Sequence, residues 1–321
     1  MPTAPSYAVV ADVGGTNTRV ALAEGPNILP SSVRRFRNDE HPDLEQILRA
    51  FVAGAGNVVC HAVCAAIAGP VRDGQGNLTN LDWSIDGASI SAATGATRAA
   101  ILNDLQAQGY ALGHIDNANI RPILGRTKAP RPGPQLVVGV GTGFNATPVY
   151  NTPAGKLVAA SESGHVTLPT QSTAEERLSA FIARSHGFAA VEEVISGRGL
   201  EHIYAWQAEE AGSDHRLSAA EIMAQTDTDE LAAESVATFV RVLGAVVGNL
   251  ALTFLPFGGI YLVGGVARSF APRLSELGFG ESFRAKGRFA AFMEDFSVAV
   301  IEDDFAALSG CAAHLADIPK I

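Results

Sequence analysis

Asp12-Val13-Gly14-Gly15-Thr16-Asn17 brings a carboxylate, two glycines, a hydroxyl and an amide into one short stretch. Apolar runs at 7–11 and 20–23 flank it, so the unit reads as a β-hairpin with a Gly-Gly turn. Such a turn can present backbone N–H groups to an anion, because glycine lacks a Cβ and tolerates positive φ. Thr16 and Asn17 can bond phosphate oxygens, and Asp12 can face a hydrated Mg2+, a hard cation that takes oxygen ligands. The plain alternative is a turn with no further duty. No G-x-x-x-x-G-K-[ST] pattern is present, so a nucleotide site here is not a P-loop.

Two further glycine turns end apolar strands: Gly141-Thr142-Gly143 and Gly264-Gly265. Residues 137–143 superficially suggest a dinucleotide fingerprint, but that motif opens a helix. Here Phe144 to Tyr150, with Pro148, suits a second hairpin instead. Three such turns together point to a nucleotide held between two lobes. Asn103-Asp104 follows the apolar stretch 99–102 and precedes a helix-like segment. Both residues favour helix N-caps. An aspartate there is also kept ionised by the helix dipole and can serve as a general base. One residue can do both. Glu162-Ser163-Gly164-His165 reads either as a polar turn or as a pair of hydroxyl binders, since Ser-Gly disfavours a helical metal motif. Glu192-Glu193, ahead of Ser196-Gly197-Arg198-Gly199, reads as a solvated helix end or as a carboxylate gripping two hydroxyls.

The elements that must position these groups alternate. Helical spacing covers 42–55, strand-like runs cover 58–67 and 99–102, and helices are expected at 84–94 and from 104 through 112. This β-α-β-α order implies an α/β domain with a partly parallel sheet. Residues 125–134, rich in Pro, Gly and basic side chains, read as a surface connection near a domain boundary. Beyond it come a strand at 135–140, helices at 173–186, 217–226 and 230–252, a polar loop at 209–215, strands at 260–263 and 298–301, and a helix at 305–315. No fixed-period repeat is visible.

With 321 residues, 47% of them hydrophobic, the chain can build a large core or two medium ones. A net charge of −10 argues against nucleic-acid binding. Cys60, Cys64 and Cys311 form neither a C-x-x-C nor an even set, which points to buried reduced thiols. The N-terminus has no signal-peptide pattern, and the apolar stretch 240–259 is interrupted by Arg241, Asn249 and Pro256, so it reads as a core helix and not a membrane span.

Together these motifs resemble bacterial glucokinases of the hexokinase–actin-like ATPase superfamily, over nearly the whole chain. The resemblance rests on residues 12–17, 66–70, 78–83, 102–104, 140–143, 162–166, 192–200 and 263–266. It implies a two-lobed actin-like ATPase (ribonuclease H-like) fold. A small α/β lobe spans 1–114, completed by a C-terminal helix at 304–321, and a larger α+β lobe spans 115–303. It implies ATP-dependent phosphorylation of glucose at the 6-hydroxyl, with Asp104 as base and Asn80, Asn103, Asp104, Glu162, His165 and Glu192 on the sugar. Asp12, Gly14, Gly15, Thr16, Asn17, Gly141, Thr142, Gly143, Gly264 and Gly265 would hold ATP, Asp12 acting through the water shell of Mg2+. A cytoplasmic homodimer whose lobes close on the sugar is also implied. The other readings are a kinase for a different hexose and a sugar-sensing regulator, the latter disfavoured by acidic charge and a hairpin that begins about a dozen residues in. Three positions depart from the family. Asn145 stands where Gly is frequent and either tightens the second turn or adds a side-chain contact. Ser163 replaces a Gly and either narrows the sugar pocket or is harmless. Arg198 replaces a Pro, which loosens its turn and adds a charge.

Overall fold

The computed structural model describes residues 6–78, 81–125 and 131–317. Two compact units divide the chain: residues 1–117, 151–160 and 303–321 form unit 1, and residues 118–150 and 161–302 form unit 2.

Along unit 1 run β1 (Ser6–Val13), β2 (Asn17–Glu24), β3 (Asn27–Ile28), β4 (Arg34–Arg37), α1 (Leu44–Gly54), β5 (Val59–Ile67), β6 (Val71–Arg72), β7 (Gln75–Asn77), β8 (Ser84–Asp86), α2 (Gly87–Thr94), β9 (Arg98–Asn103) and α3 (Asp104–Ala111). The main sheet has the order β3-β2-β1-β5-β9, with β4 on β2. β1 and β2 form an antiparallel hairpin, and β5 and β9 add parallel strands. Alternation decides what covers each face. Val9, Ala11, Val13, Val20 and Leu22 point to α1 and α2, with Ile47, Leu48, Phe51 and Ile90. Ala8, Val10, Ala21, Ala23, Ala62, Cys64 and Ala66 point the other way, toward α3 and the C-terminal helix α10 (Ala306–Asp317). The small side chains on that second face let two helices come close. A Cβ on Gly310 of α10 would stand 1.7 Å from the Ala107 carbonyl oxygen of α3, so the contact admits only glycine.

The stretch 84–94 is not one helix. Residues Ser84–Asp86 pair with β7 in a small β6-β7-β8 sheet, and Asp86 then caps α2 by accepting from Ser89 N.

Unit 2 contains β10 (Ile120–Leu124), β11 (Gln135–Val140) and β12 (Phe144–Thr152), whose tip, with β13 (Gly155–Val158), groups with unit 1. There follow α4 (Thr173–His186), α5 (Gly197–Glu210), α6 (Ala219–Gln225), α7 (Glu230–Phe254), β14 (Ile260–Val263), α8 (Gly265–Phe270), α9 (Phe279–Arg284) and β15 (Val298–Ile301). Its strands run β10-β15-β14-β11-β12: an antiparallel β11/β12 hairpin, then parallel β14 and β15. This repeats the hairpin-plus-two-parallel-strands plan of unit 1. α7 is long and apolar enough to cross a membrane, but 67% of its most apolar window is buried inside the fold, as a core helix requires. All three cysteines are free and buried.

Candidate active site

In unit 1, Asp12, next to last in β1, lies directly opposite Arg19 of β2, with Arg19 Nη1 3.5 Å from Asp12 Oδ2. Burial pushes the Asp12 carboxyl above its usual range, and the Arg19 guanidinium partly offsets this. The turn itself is closed by Gly14 N–H donating to the Asn17 carbonyl at 3.0 Å. Gly14 and Gly15 are not in the left-handed region, so positive φ is not the reason for glycine here. Thr16 is exposed, and the Asn17 side-chain carbonyl accepts from Arg35 Nε at 3.0 Å.

Asn38, which the sequence did not mark, holds this hairpin. It is 2% exposed, its Nδ2 donates to the Gly14 carbonyl (2.8 Å), its Oδ1 accepts from the buried Thr18 hydroxyl (2.8 Å), and its N–H donates to the Thr16 carbonyl (3.0 Å). Only the Asn-Asp pairing after β4 could have signalled it, and that pairing looks like any turn.

Asn103 ends β9 and is the N-cap of α3. Its Oδ1 accepts from Leu105 N, and Gln106 Oε1 reciprocates on Asn103 N in a capping box. Its Nδ2 donates to the Gly69 carbonyl at 3.0 Å. That oxygen belongs to the 68–70 turn, where a Cβ on Gly69 would stand 2.0 Å from the Asn77 carbonyl oxygen. Most of the Asn103 amide is therefore spent on structure. Asp104, the first residue of α3, is exposed, and its Oδ1 accepts from Leu105 N at 2.7 Å. Asn80 lies outside the described residues.

In unit 2, the β11/β12 turn is closed by Gly141 N–H on the Gly143 carbonyl. Glu192 is fastened to it: Phe144 N–H donates to Glu192 Oε2 at 2.8 Å. A Cβ on Gly143 would stand 2.5 Å from that same oxygen. Gly197 N–H meets the Gly141 carbonyl, and Glu192 N–H meets the Gly164 carbonyl, each at 2.9 Å. Gly164 is needed because a Cβ would stand 2.0 Å from the Phe144 carbonyl oxygen. Thr142 is the central residue of the turn, between the two glycines. Gly264, at the end of β14, does have a positive φ of 104°, and its missing Cβ leaves room for the Val140 backbone at the foot of the same turn. Gly265 follows it as the first residue of α8.

Glu162 and His165 are both exposed, Glu162 just before and His165 at the end of a single 3-10 turn over Ser163–His165. This turn is where two departures from the family meet. Asn145 Oδ1 accepts from Ser163 N (2.9 Å), Ser163 Oγ (3.1 Å) and Ser161 Oγ (3.2 Å), while its Nδ2 donates to the Ser161 carbonyl. Asn145 thus adds a side-chain contact, and the Ser163 hydroxyl is turned toward it. The third departure is corrected by the structure. Residues 196–199 are no loosened turn but the N-terminal end of α5, for Ser196 caps that helix and Arg198 lies in its first turn. Its guanidinium stands 2.8 Å from Glu193 Oε1 and 3.5 Å from Glu192 Oε1.

A family model of glucokinase matches residues 9–318. The glucokinase of Erwinia tasmaniensis is 31% identical over 317 residues, covering 96% of this chain and 97% of that one. That of Marinobacter nauticus is 32% identical, covering 98% of each. Among solved structures, a glucokinase from an Antarctic psychrotroph superposes with a TM-score of 0.87 at 28% identity, over 97% of this chain and 99% of that one. A ROK-family glucokinase from Streptomyces griseus, solved with glucose and AMPPNP, shares the fold with a TM-score of 0.62 at 21% identity, covering 96% of this chain and 98% of that one. The fold is that of the actin-like ATPases, and with a family match running almost from end to end, the chain belongs to the glucokinase family.

Proposed function

We propose that this chain phosphorylates glucose with ATP, taking the 6-hydroxyl proton on Asp104. The observation that carries the reading is the Glu192–Phe144 hydrogen bond. It ties a carboxylate suited to sugar hydroxyls to the peptide following a glycine turn suited to phosphate. A phosphoryl donor and its acceptor must lie side by side, and here their candidate binding groups share one bond.

Glucose carries no charge, so it must be held by hydrogen bonds. Glu192, with Oε2 already oriented by Phe144 N–H, offers Oε1 as acceptor. Glu162 adds a carboxylate, His165 an imidazole, and Asn80 and Asn103 amides. Because Asn103 already caps α3 and bonds Gly69, its share is one remaining N–H. Asp104 stands in the first turn of α3, where the helix dipole favours the charged form of a carboxylate. Its carboxylate, held through Oδ1 by Leu105 N–H, accepts the proton as the sugar oxygen attacks the γ-phosphorus. The glycine turns at 14–15, 141–143 and 264–265 hold ATP through backbone N–H groups, with Thr16, Asn17 and Thr142 adding side chains.

A single carboxylate, already beside one guanidinium, is too few groups for direct ligation by a full carboxylate set, so Asp12 fits the water shell of Mg2+. When bound, Mg2+ neutralises phosphate charge.

Asp104→Ala should bind glucose normally and lose about 10²–10⁴-fold in kcat, the usual value of a positioned general base. Retention of more than about 1% of wild-type kcat removes Asp104 as the base. A panel of glucose, mannose, fructose and N-acetylglucosamine, read by ADP release, separates glucose from other hexoses. The resemblance also implies a cytoplasmic homodimer, which sedimentation of the purified chain decides as to the dimer.

A further inference from the structure

We propose that His186, Glu193 and His202 bind a divalent transition-metal ion of the zinc type, and that its binding weakens the hold of Glu192 on sugar. His186 is the last residue of α4, Glu193 lies in the following turn, and His202 lies in α5. Each offers one ligand atom, all within 4.8 Å of one another. Glu193 Oε2 is buried and has no hydrogen-bond partner among the described residues. It stands 3.6 Å from His186 Nε2 and 3.6 Å from His202 Nδ1. That is too long for a hydrogen bond. It is close to the separation of two ligands around a tetrahedral zinc ion, roughly 3.3–3.6 Å for bonds of about 2.0–2.2 Å.

The surroundings favour the metal. Arg198 holds Glu193 Oε1 at 2.8 Å, so the carboxylate is oriented with Oε2 turned to the imidazoles, as an outer partner fixes a metal ligand. Two carboxylates, Glu192 and Glu193, against one guanidinium leave the group with negative charge when both histidines are neutral. On the other side, His186 and His202 line a cavity of about 340 Å³ with Glu201 and Arg216, which leaves room for a water as fourth ligand. His202 Nδ1 also lies 2.9 Å from the Glu193 carbonyl oxygen. Coordination must displace that bond and place the ring proton on Nε2.

The consequence for the sugar rests on the function proposed above. Arg198 stands between Glu193 Oε1 and Glu192 Oε1. A dication on Glu193 competes with Arg198 for its charge and shifts the guanidinium toward Glu192, the oxygen offered to a hydroxyl.

The test uses the full chain without nucleotide and with excess Mg2+, so that hard-cation sites are filled. Co2+ is titrated as a spectroscopic probe and Zn2+ by calorimetry, with glucose binding measured in each state. One equivalent with tetrahedral Co2+ absorption is expected, weakened by about tenfold or more in His186→Ala and Glu193→Gln. Zn2+ should raise the glucose Kd of the wild type and leave that of His186→Ala unchanged. His186 is half-exposed at a helix end, so this variant should fold and keep wild-type turnover in buffer holding Mg2+ and no transition metal. No binding, or equal binding by wild type and variants, overturns the site. Binding with an unchanged glucose Kd overturns the link to Glu192. Failure to phosphorylate glucose in buffer holding Mg2+ and no transition metal would instead strike the proposed function and leave the metal titration standing.

Discussion

The two glycine hairpins occupy matching places in their own sheets but are held by different means. In unit 1, β1/β2 carries its chemistry in side chains, Asp12, Thr16, Asn17 and Arg19, and is pinned from behind by Asn38. In unit 2, the turn at 141–143 has one hydroxyl and no charge. Its chemistry is borrowed: Phe144 N–H holds Glu192, and the Gly141 carbonyl takes Gly197 N–H. The first hairpin is therefore a self-contained charge carrier. The second is wired to the residues proposed to grip the sugar. Disturbing the first should fall on ATP, and disturbing the second should reach glucose.

The sharpest way to break that comparison is a pair of alanines. In Gly143→Ala the new Cβ would meet Glu192 Oε2 at 2.5 Å, and the carboxylate must leave Phe144 N–H. A hydrogen bond to a charged group is worth about 1.5–3 kcal/mol, so kcat/KM for glucose should fall about 10–150-fold. In Gly14→Ala the Cβ meets only Asn17 O at 3.4 Å, an ordinary contact, and glucose KM should stay within about twofold. Equal effects of the two on glucose kinetics would end the distinction. Next in size is Asn38→Ala, which leaves the buried Thr18 hydroxyl and the Gly14 carbonyl without their partner. A loss of about 1–3 kcal/mol in unfolding free energy is expected, with a raised ATP KM and an unchanged glucose KM.

Much of this frame was legible. Short apolar runs with β-branched residues gave β1, β2 and β5, and Asn103-Asp104 gave the start of α3, whereas α5, which Ser196 caps, was hidden because its first turn, Gly197-Arg198-Gly199, reads as a glycine turn. The duplicated strand order was not, because it is a likeness of topology with no shared residue period. Nor were the bonds that join the site. Glu192 and Phe144 are 48 residues apart, and Asn38 and Gly14 are 24 apart. No local propensity reports such pairings; they appear only when the strands are in place. The resemblance marked Asn145 and Ser163 as separate departures, yet the fold makes them one contact.

That contact offers a smaller test of the wiring in unit 2. Asn145→Ala and Ser163→Gly should each raise glucose KM severalfold by loosening the 163–165 turn. The double variant should cost less than the sum, with a coupling of about 0.5–1.5 kcal/mol. Additive effects would mean that the two residues act independently.

The smallest effect belongs to unit 1 and concerns pH. His314 of α10 lies against the Tyr110 ring at 4.4 Å, and burial pulls its pKa below 6.5, partly offset by Asp317. Below the unfolded value the unfolded chain then binds more protons than the folded one, so stability falls as pH drops through 6.5. Asp12 works in the opposite sense and in a lower window: its raised carboxyl lets the folded state bind the proton first, so acid should favour it as pH falls toward 3.8. The two should separate in a series of thermal melts. His314→Gln should flatten the decline just below pH 6.5 without touching the acid limb, and Asp12→Asn should change the acid limb alone. If His314→Gln leaves the slope unchanged, burial of that imidazole is not what sets the stability of unit 1 near neutral pH. The α3–α10 contact would then rest on the close approach at Gly310 and Ala107 without a titrating component.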